Sequence, residues 1–495
     1  MKKFCLLLAL LLLLTGCSTD AGPIQTVPPT TQASNDAGLV RFDIYAVNDL
    51  HGRLTDTDMQ PGVDELSTYL KQAQQTGNTI LLSTGDMWHG AAEAILTDGL
   101  IVTDWMNQLN FTAMTMGGHE YDWGEAGIRQ NKALAEFPFL GINVYDRQTD
   151  TQVDYCQNSV VVDIDGAQIG IIGAIGDCSS SIASENLENV VFKTGAELTA
   201  LVKAESEKLR AQGVDFIIYT IHDGSDQTSD GVNAVPASAQ VLDSYYDITL
   251  SDGYVDLVFE ADSHYWYSLV DEYGIYHLQA GGNNQGISHA TVLIDKANHA
   301  TDILAAELLP ASKYAHMADD PVVAQLLEKY AEQIAPAQTV LGTNSQYKNN
   351  NMLGDLVAKL YRDTGVEKWG DAYGIVLGGG YIFCRSPGYL PAGEVTYGQL
   401  MSLLPFDNQI TLCSIRGSDL ISRFLENDYY AYHIQTTAYG NSIRSSIDPD
   451  GIYYVVTDSY SAYYAANNMT VIDVYSEDIF ARDLLADYIA AGGLG

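Results

Sequence analysis

In five short stretches of the sequence, a strand-like apolar run is followed directly by aspartate or histidine residues. The first is FDIYAVNDLHGR, in which alternation over residues 42–47 predicts a strand that stops just before Asp49 and His51. The others are ILLSTGD, TAMTMGGHEYD, FIIYTIHDG and DLVFEADSH, and they deliver Asp86, His119, Asp122, His222, Asp262 and His264. Because α/β sheets place ligands at the carboxyl ends of buried strands, this repetition favours a metal centre over solvated loop residues.

These residue types suit a pair of divalent ions that share one ligand. Such a site needs several nitrogen and oxygen ligands and one carboxylate that bridges both ions. Asp86 is the expected bridge, because the glycine before it permits a tight turn off the strand. We expect Asp49, His51 and His264 to complete the coordination of one ion together with Asp86. His222 is an expected ligand of the other ion. Two ions of this kind clamp a phosphate and activate water for in-line displacement.

A histidine and an aspartate three residues apart, His119 and Asp122, are expected to form a catalytic dyad. Asp122 would orient the imidazole, and His119 would stabilise charge or protonate the leaving oxygen. The residues therefore predict metal-dependent hydrolysis of a phosphoester.

Five sequence blocks resemble, in order, those of the calcineurin-like metallophosphoesterases: NDLHG (48–52), STGDMWHG (83–90), GGHEYD (117–122), IHDG (221–224) and ADSH (261–264). They are most similar to the secreted 5′-nucleotidase / UDP-sugar hydrolase / 2′,3′-cyclic phosphodiesterase family. GGGYIFCR (378–385) and LPFDN (404–408) resemble motifs of that family's C-terminal domain. The resemblance implies an α/β protein, with a layered metallophosphoesterase β-sandwich flanked by helices and a smaller α/β C-terminal domain.

The resemblance also implies a set of substrate-binding residues in the C-terminal domain. Phe406 and Asn408 would hold the nucleotide base, and Tyr460 would stack on its opposite face. Arg385 would contact phosphate or ribose, because a guanidinium binds bidentately, and Lys348 would supply a second cation. Ordinary core packing is the alternative role for Phe406.

Two positions depart from the family pattern, and both concern the second metal ion. Gly118 stands where the family has an asparagine ligand, and Asp262 stands where it has a histidine. An aspartate is shorter than a histidine and prefers harder ions such as Mn²⁺, Mg²⁺ or Ca²⁺. A water is one candidate for the space left at Gly118. We therefore expect one or two divalent ions (Mn, Zn, Mg or Ca), with a weakened or different second site.

Three classes of function follow from these residues. The first is an active phosphohydrolase that releases phosphate from extracellular nucleotides, of the 5′-nucleotidase or 2′,3′-cyclic phosphodiesterase type. The second is a catalytically impaired, nucleotide-binding surface lipoprotein, which the changed ligands would explain. The third, a structural or adhesive surface protein, gains support only from the export signal. The pair of His119 and Asp122 favours the enzyme.

The first residues predict export and lipid attachment. Lys2 and Lys3 precede an apolar stretch at 4–14 that is too short to span a membrane, and Thr15-Gly16-Cys17 follows. This signature resembles a bacterial lipobox; an ordinary signal peptide with an incidental cysteine is the alternative. We expect a lipoprotein signal peptide at 1–16, a lipidated Cys17 with a flexible tether at 17–38, and an extracytoplasmic protein anchored to the bacterial cell membrane.

The charge of the chain restricts its partners. There are 24 Lys and Arg residues against 63 Asp and Glu residues, which gives a formal net charge of −39. Nucleic-acid polymers and anionic lipid surfaces require clustered cations, so neither is an expected partner. A nucleotide or small phosphoester is the expected substrate, membrane contact is expected only through the N-terminal lipid, and the oligomeric state stays open.

The four cysteines that follow Cys17 have no zinc-finger spacing. In an exported protein they could form two disulfides, Cys156–Cys178 and Cys384–Cys413. Buried free thiols are the alternative, and the sequence does not choose between them.

The rest of the chain alternates helical and strand patterns, which predicts layered α/β structure. We place the phosphoesterase domain at 39–309, a helical linker at 310–337 and the substrate-binding domain at 338–495. VVVDIDGAQIGIIGAI is the exception to the alternation, because Asp165-Gly166 predicts the turn of a hairpin.

Overall fold

The computed structural model describes residues 38–56, 61–179, 181–224, 254–271, 273–373, 377–382, 384–385, 387–425, 432–436, 447–463, 467–476 and 478–495. Residues Leu39–Gly495 form one compact unit. Cys17 and the rest of the predicted signal peptide and tether up to residue 37 lie outside the described residues, so these assignments stay predictions.

Two six-stranded sheets build the N-terminal region. The first has the strand order Ala300–Pro310, Gly286–Asp295, Leu39–Val47, Thr79–Ser83, Ala113–Thr115 and Phe139–Leu140. Its four strands from Leu39–Val47 onward pair in parallel. Their carboxyl ends therefore meet at one edge of the sheet.

The second sheet has the strand order Trp266–Val270, Tyr276–Ala280, Leu257–Phe259, Phe216–His222, Ala167–Ile175 and Ser159–Ile164. Its four middle strands pair in parallel. The last two strands form the predicted hairpin, with Asp165 and Gly166 at φ of 49° and 86°. Two successive residues of positive φ suit a tight two-residue turn between twisted strands.

The alternation of side chains along each strand divides them between two cores. Phe42 and Ile44 face the second sheet, where they pack with residues such as Phe216 and Ile218. Tyr45 and Val47 point the other way, into a core shared with the covering helices. Because a strand's side chains alternate between its faces, both faces of this strand are buried. The predicted layered β-sandwich flanked by helices is confirmed.

Helices cover the outer faces of both sheets. The longer ones are Asp64–Thr76, Leu100–Gln108, Gly124–Leu134, Gly195–Ala211 and Pro321–Lys329. Short helices occur at Ala92–Ile95, His119–Tyr121, Ser184–Leu187, Ala311–Lys313, Ala331–Ile334 and Ala335–Gln338. A small sheet of Thr151–Gln152, Val144–Asp146 and Val190–Phe192 completes this region.

The C-terminal region is built around a five-stranded sheet with the order Tyr432–Thr436, Leu377–Tyr381, Ile452–Asp458, Ile410–Arg416 and Thr470–Val474. The helices are Asn350–Tyr373, Tyr397–Leu403, Gly417–Leu420, Ser459–Tyr463 and Ala481–Ala490. Two strand pairs, Val340–Asn344 with Gly393–Thr396 and Lys348–Asn349 with Tyr389–Leu390, lie beside it. The C-terminal region thus has the smaller α/β fold that the resemblance implies.

Two helices of the C-terminal region have distinctive features. The long helix Asn350–Tyr373 buries one face, which Trp369 continues near its C-terminal end. The short helix Gly417–Leu420 is followed directly by a π-helical turn at Ile421–Leu425.

Four described cysteines are buried free thiols: Cys156, Cys178, Cys384 and Cys413. The disulfide alternative is therefore wrong, because each thiol packs separately in the interior; Cys156, for example, lies against Gly141. Among the described residues, no helix is long and apolar enough to cross a membrane.

Candidate metal centre

The predicted metal ligands lie together at the carboxyl ends of strands from both sheets. Asp49 follows the strand Leu39–Val47, Asp86 follows Thr79–Ser83, and His222 is the last residue of Phe216–His222. Asp262 follows the strand Leu257–Phe259. Parallel pairing within each sheet brings these ends to one edge of the sandwich, which is why residues far apart in sequence share one site.

One group of close ligand atoms consists of Asp49, His51 and His264. The Nε2 atoms of the two histidines are 3.0 Å apart, and His264 Nε2 is 3.5 Å from Asp49 Oδ1. Two imidazole nitrogens that approach a carboxylate in this way form a nitrogen and oxygen donor set typical of a divalent transition metal.

A second group consists of Asp49, Asp86 and His222. His222 Nε2 lies 3.2 Å from Asp86 Oδ1 and 3.7 Å from Asp262 Oδ1. It is buried and has no hydrogen-bond partner among the described residues. A buried nitrogen that faces only carboxylates fits a ligand aimed at a cation, so this donor set also suits a metal ion.

Backbone carbonyls orient two of the histidines. His51 Nδ1 donates to the carbonyl oxygen of His89 at 3.0 Å, and His222 Nδ1 donates to that of Thr84 at 2.8 Å. Each ring then turns its Nε2 atom into the site, where that of His51 faces His264 and that of His222 faces Asp86. This arrangement is the usual way in which a protein fixes the tautomer of a metal ligand.

Five ligand residues have left-handed backbone conformations: Asp49 (φ 49°), His51 (φ 51°), Asp86 (φ 54°), Asp262 (φ 66°) and His264 (φ 56°). Non-glycine residues adopt positive φ at a cost of about 1 kcal/mol or more each. Gly85 precedes Asp86 with a φ of 99°, and a Cβ there would lie 2.6 Å from His222 Nδ1. The loops are thus bent sharply so that their side chains converge.

Glu120 holds the loop that carries Asp86. Its carboxylate is fully buried and accepts backbone N–H groups from Asp86 (2.9 Å), Met87 (2.8 Å), Trp88 (3.4 Å) and Gly117 (2.7 Å). Asp86 Oδ1 in turn accepts the N–H of His119 at 2.8 Å. These bonds join the loops after two neighbouring strands and fix the position of the Asp86 carboxylate.

The predicted dyad is formed. His119 Nδ1 and Asp122 Oδ2 are 2.8 Å apart, and His119 Nε2 lies 3.9 Å from Asp86 Oδ2. A second histidine, His89, shares Asp122, with its Nδ1 atom 3.1 Å from the same oxygen. The two imidazole rings stack with centroids 5.7 Å apart.

The two histidines beside Asp122 differ in charge. Burial opposes the charged form of His119, but the Asp122 and Asp86 carboxylates outweigh it and raise the pKa of His119 to about 9. Burial lowers the pKa of His89 to about 4, although Asp122 opposes that shift. At neutral pH the pair therefore consists of a charged His119 and a neutral His89.

A cleft of about 360 Å³ opens between the N-terminal and C-terminal regions beside the dyad. His51, His119 and His264 line one wall, and Arg385 and Phe406 line the other. The remaining residues that line it are Arg53, His89, Gly90, Asn283, Asn350, Cys384, Pro387, Gly388, Ser402 and Pro405. The cleft therefore connects the metal-ligand groups to the C-terminal region.

Phe406 contacts the dyad directly. Its ring stacks on His89 and His119, with centroids 5.2 Å and 5.6 Å away. The guanidinium carbon of Arg385 lies 5.2 Å from the centroid of the same ring. Arg482 forms an ion pair with Asp407 and donates to the carbonyl of Phe406 at 3.2 Å, so it holds this loop in place.

Three predicted substrate residues do not line this cleft. Asn408 is half-buried, and its backbone carbonyl accepts the backbone N–H of Ala481 at 3.2 Å. Tyr460 is 39% exposed in the helix Ser459–Tyr463, and Lys348 lies half-buried in a strand that pairs with Leu390. Their roles in substrate binding stay predictions.

Sequence reasoning missed four residues that shape the site: His89, Glu120, Asn350 and Arg482. His89 and Glu120 lie inside the blocks that resemble the family, and this position could have marked them as residues of the site. Asn350 holds the Arg385 loop, because its Nδ2 donates to the carbonyl of Cys384 at 2.6 Å. Nothing in the local pattern marks Arg482, which acts through a contact distant in sequence.

Comparison with known proteins agrees with this architecture. Residues 333–472 match the family model described as the 5′-nucleotidase C-terminal domain. The predicted resemblance to the 5′-nucleotidase family is thereby confirmed.

Two curated relatives cover most of the chain. An apyrase from Tabanus yao is 25% identical over 431 residues, which span 79% of this chain and 74% of the apyrase. Protein UshA from Yersinia enterocolitica is 24% identical over 483 residues, which span 85% of this chain and 84% of UshA. The match thus extends across both regions.

The fold is also that of a solved structure, the 5′-nucleotidase precursor from Thermus thermophilus. The TM-score is 0.68 at 16% sequence identity, with 91% of this chain and 96% of the other covered. At 16% identity this structural similarity shows a shared fold and nothing about activity.

The analysis of Glu120 yields a prediction for Glu120→Gln. An amide NH₂ cannot accept the N–H groups that the carboxylate accepts, and each buried donor left unpaired costs about 1–3 kcal/mol. We expect lower thermal stability and at least about 10-fold weaker Mn²⁺ binding, the loss typical of an outer-shell contact, by calorimetric titration. The control is Glu125→Gln, a partly exposed carboxylate that pairs with Arg129 at 3.7 Å. Unchanged Mn²⁺ affinity in Glu120→Gln would contradict this role.

Proposed function

We propose that this protein is a metal-dependent phosphohydrolase that releases phosphate from extracellular nucleotides. One observation carries the proposal: Asp86 belongs to two close ligand groups, one with Asp49 and His222 and one with His51 and His119. A carboxylate in that position is the bridge that a two-ion phosphoesterase requires.

Each ion has its own set of residues in this proposal. Asp49, His51 and His264 would hold the first ion, and His222 and Asp262 would hold the second, with Asp86 available to both. Bound there, divalent ions would supply Lewis-acid chemistry, which stabilises the charge that develops on a phosphate during displacement. Mn²⁺ and Zn²⁺ are the first candidates for the metal, because imidazole ligands favour transition metals.

His119 is the proposed acid on the leaving oxygen. Its Nδ1 atom is held by Asp122 at 2.8 Å, so the Nε2 atom is presented toward the cleft beside Asp86. The hydrogen bond fixes the direction of the ring, and the charged imidazolium carries a proton on Nε2. His119 can then donate a proton from Nε2 to the alkoxide that departs from phosphorus.

The proposed nucleotide would extend from the ligand groups across the cleft to the C-terminal region. Arg385 offers a guanidinium for phosphate or ribose, and Phe406 offers an aromatic face for the base. Base stacking on Phe406 would replace the contacts that its ring makes with His89 and His119. A hydrolase of the 5′-nucleotidase type fits this arrangement best, and the match of residues 333–472 to the 5′-nucleotidase C-terminal domain supports it.

Phosphate release from AMP tests the proposal. Wild-type protein with Mn²⁺ should release phosphate, and a chelator should stop it. His119→Asn should lower kcat by about 10²- to 10⁴-fold, the range for loss of a general acid, while metal content stays the same. His316→Asn, a change at an exposed histidine, is the control. AMP binding without any phosphate release would replace the enzyme with the nucleotide-binding lipoprotein.

The contact of Phe406 predicts a substrate-dependent effect for Phe406→Ala. KM for AMP should rise by about 10- to 100-fold, the equivalent of one base–aromatic stack of about 1–3 kcal/mol. KM for a small aryl phosphate should change little, because that substrate has no base to stack. Steady-state kinetics on both substrates measure the difference, with Tyr463→Ala, 67% exposed, as the aromatic control. Equal losses on both substrates would show that Phe406 only packs against the histidines.

A further inference from the structure

A second cavity, of about 280 Å³, lies beside His222 and is distinct in its lining from the cleft. Cys178, Asp223 and Asp262 line it together with His222. The buried Nε2 atom of His222 lies 3.2 Å from Asp86 Oδ1 without hydrogen-bond geometry to any residue described, so this nitrogen can turn to a cation.

The side chain of Cys178 fills the space next to Gly118. A Cβ placed on Gly118 would lie 3.4 Å from Cys178 Sγ, 3.6 Å from Cys178 Cβ and 3.8 Å from Ser181 Oγ. A Cβ at position 118 would be in ordinary van der Waals contact with this thiol, so Cys178 is the side chain that borders the space left by the glycine.

The loop that carries Cys178 leaves the same edge of the sheet as the metal ligands. It follows the strand Ala167–Ile175, which pairs in parallel with Phe216–His222 so that Ile175 lies beside His222. Backbone bonds hold its turn, from the N–H of Cys178 to the carbonyl of Gly176 and from that of Ser181 to the carbonyl of Cys178, each 3.0 Å.

We propose that Cys178 is a thiolate ligand of the second metal ion, together with His222, Asp86 and Asp262. The inference rests on the two-ion site of the proposed function. Binding exchanges a proton for the metal: the sulfur–hydrogen bond of Cys178 breaks, a sulfur–metal bond forms, and the proton passes to solvent. The close groups of ligand atoms do not include Cys178, so the proposal requires its side chain to turn toward His222 when the ion binds.

A sulfur ligand changes the metal that the second site selects. Thiolates are soft donors that favour Zn²⁺ and Co²⁺, whereas carboxylates alone favour Mg²⁺, Mn²⁺ or Ca²⁺. One imidazole, one thiolate and carboxylate oxygens form a four-ligand set of the kind that zinc accepts. The second site is thus a zinc-selective site in which sulfur replaces a ligand that Gly118 cannot provide.

Cobalt titration of the metal-free protein tests the proposal without any measurement of activity. Co²⁺ bound by a thiolate shows an ultraviolet charge-transfer band that oxygen and nitrogen ligands do not give. Wild-type protein should develop this band, Cys178→Ser should lack it, and Cys156→Ser should keep it, because Cys156 is a buried free thiol outside the cavity. A wild-type protein that binds Co²⁺ without the band, or a Cys178→Ser variant that retains it, overturns the proposal.

Two further measurements complete the test. The zinc dissociation constant should rise at least about 10-fold in Cys178→Ser. Loss of an outer-shell partner already causes that much, and Cys178 would be a direct ligand. In the wild-type chain, Zn²⁺ should slow alkylation of the Cys178 peptide, read by mass spectrometry, and this arm needs no variant to fold; equal rates with and without Zn²⁺ overturn the proposal. Phosphate release without the cobalt band would refute this ligand alone, whereas the band without phosphate release would refute the proposed function alone.

Discussion

The position of the Asp86 carboxylate is the constraint on which the site depends. Its Oδ1 atom accepts the N–H of His119 at 2.8 Å and lies 3.2 Å from His222 Nε2. Glu120 accepts the N–H of Asp86 itself, so a fully buried carboxylate fixes the backbone from which Asp86 projects. Ligands from the two sheets can share one residue only because this loop is held between them, and a displacement of Asp86 would separate the two ligand groups.

The surrounding structure compensates for backbone strain at the ligands. Asp49, His51, Asp86, Asp262 and His264 all have positive φ, which costs about 1 kcal/mol or more per residue. The compensation comes from the two cores of the sandwich, since strands such as Leu39–Val47 bury side chains on both faces. The strands therefore end on a rigid frame, and the bent loops deliver several negatively charged groups to one place, an arrangement that binding of cations would stabilise.

Much of the site could be predicted from sequence because its ligands follow strands directly. Asp49 and Asp86 sit at a fixed offset from recognisable strand patterns, and the family blocks gave their order. Two features could not be predicted. Arg482 reaches the Phe406 loop through a contact 76 residues away, and Cys178 meets Gly118 only because the strands before them, which belong to different sheets, pack against each other in the sandwich. Neither contact leaves a local pattern, since both depend on tertiary packing rather than on periodicity.

The number of ions bound per chain tests the shared-ligand account most directly. Wild-type protein and Asp86→Asn would be equilibrated with Zn²⁺ and Mn²⁺, dialysed, and analysed for metal content per chain, with folding checked by circular dichroism. The account predicts about two ions for the wild type and a loss at both positions in Asp86→Asn, because one carboxylate serves both. A folded Asp86→Asn variant that keeps both ions, or that loses only one of them, would contradict it.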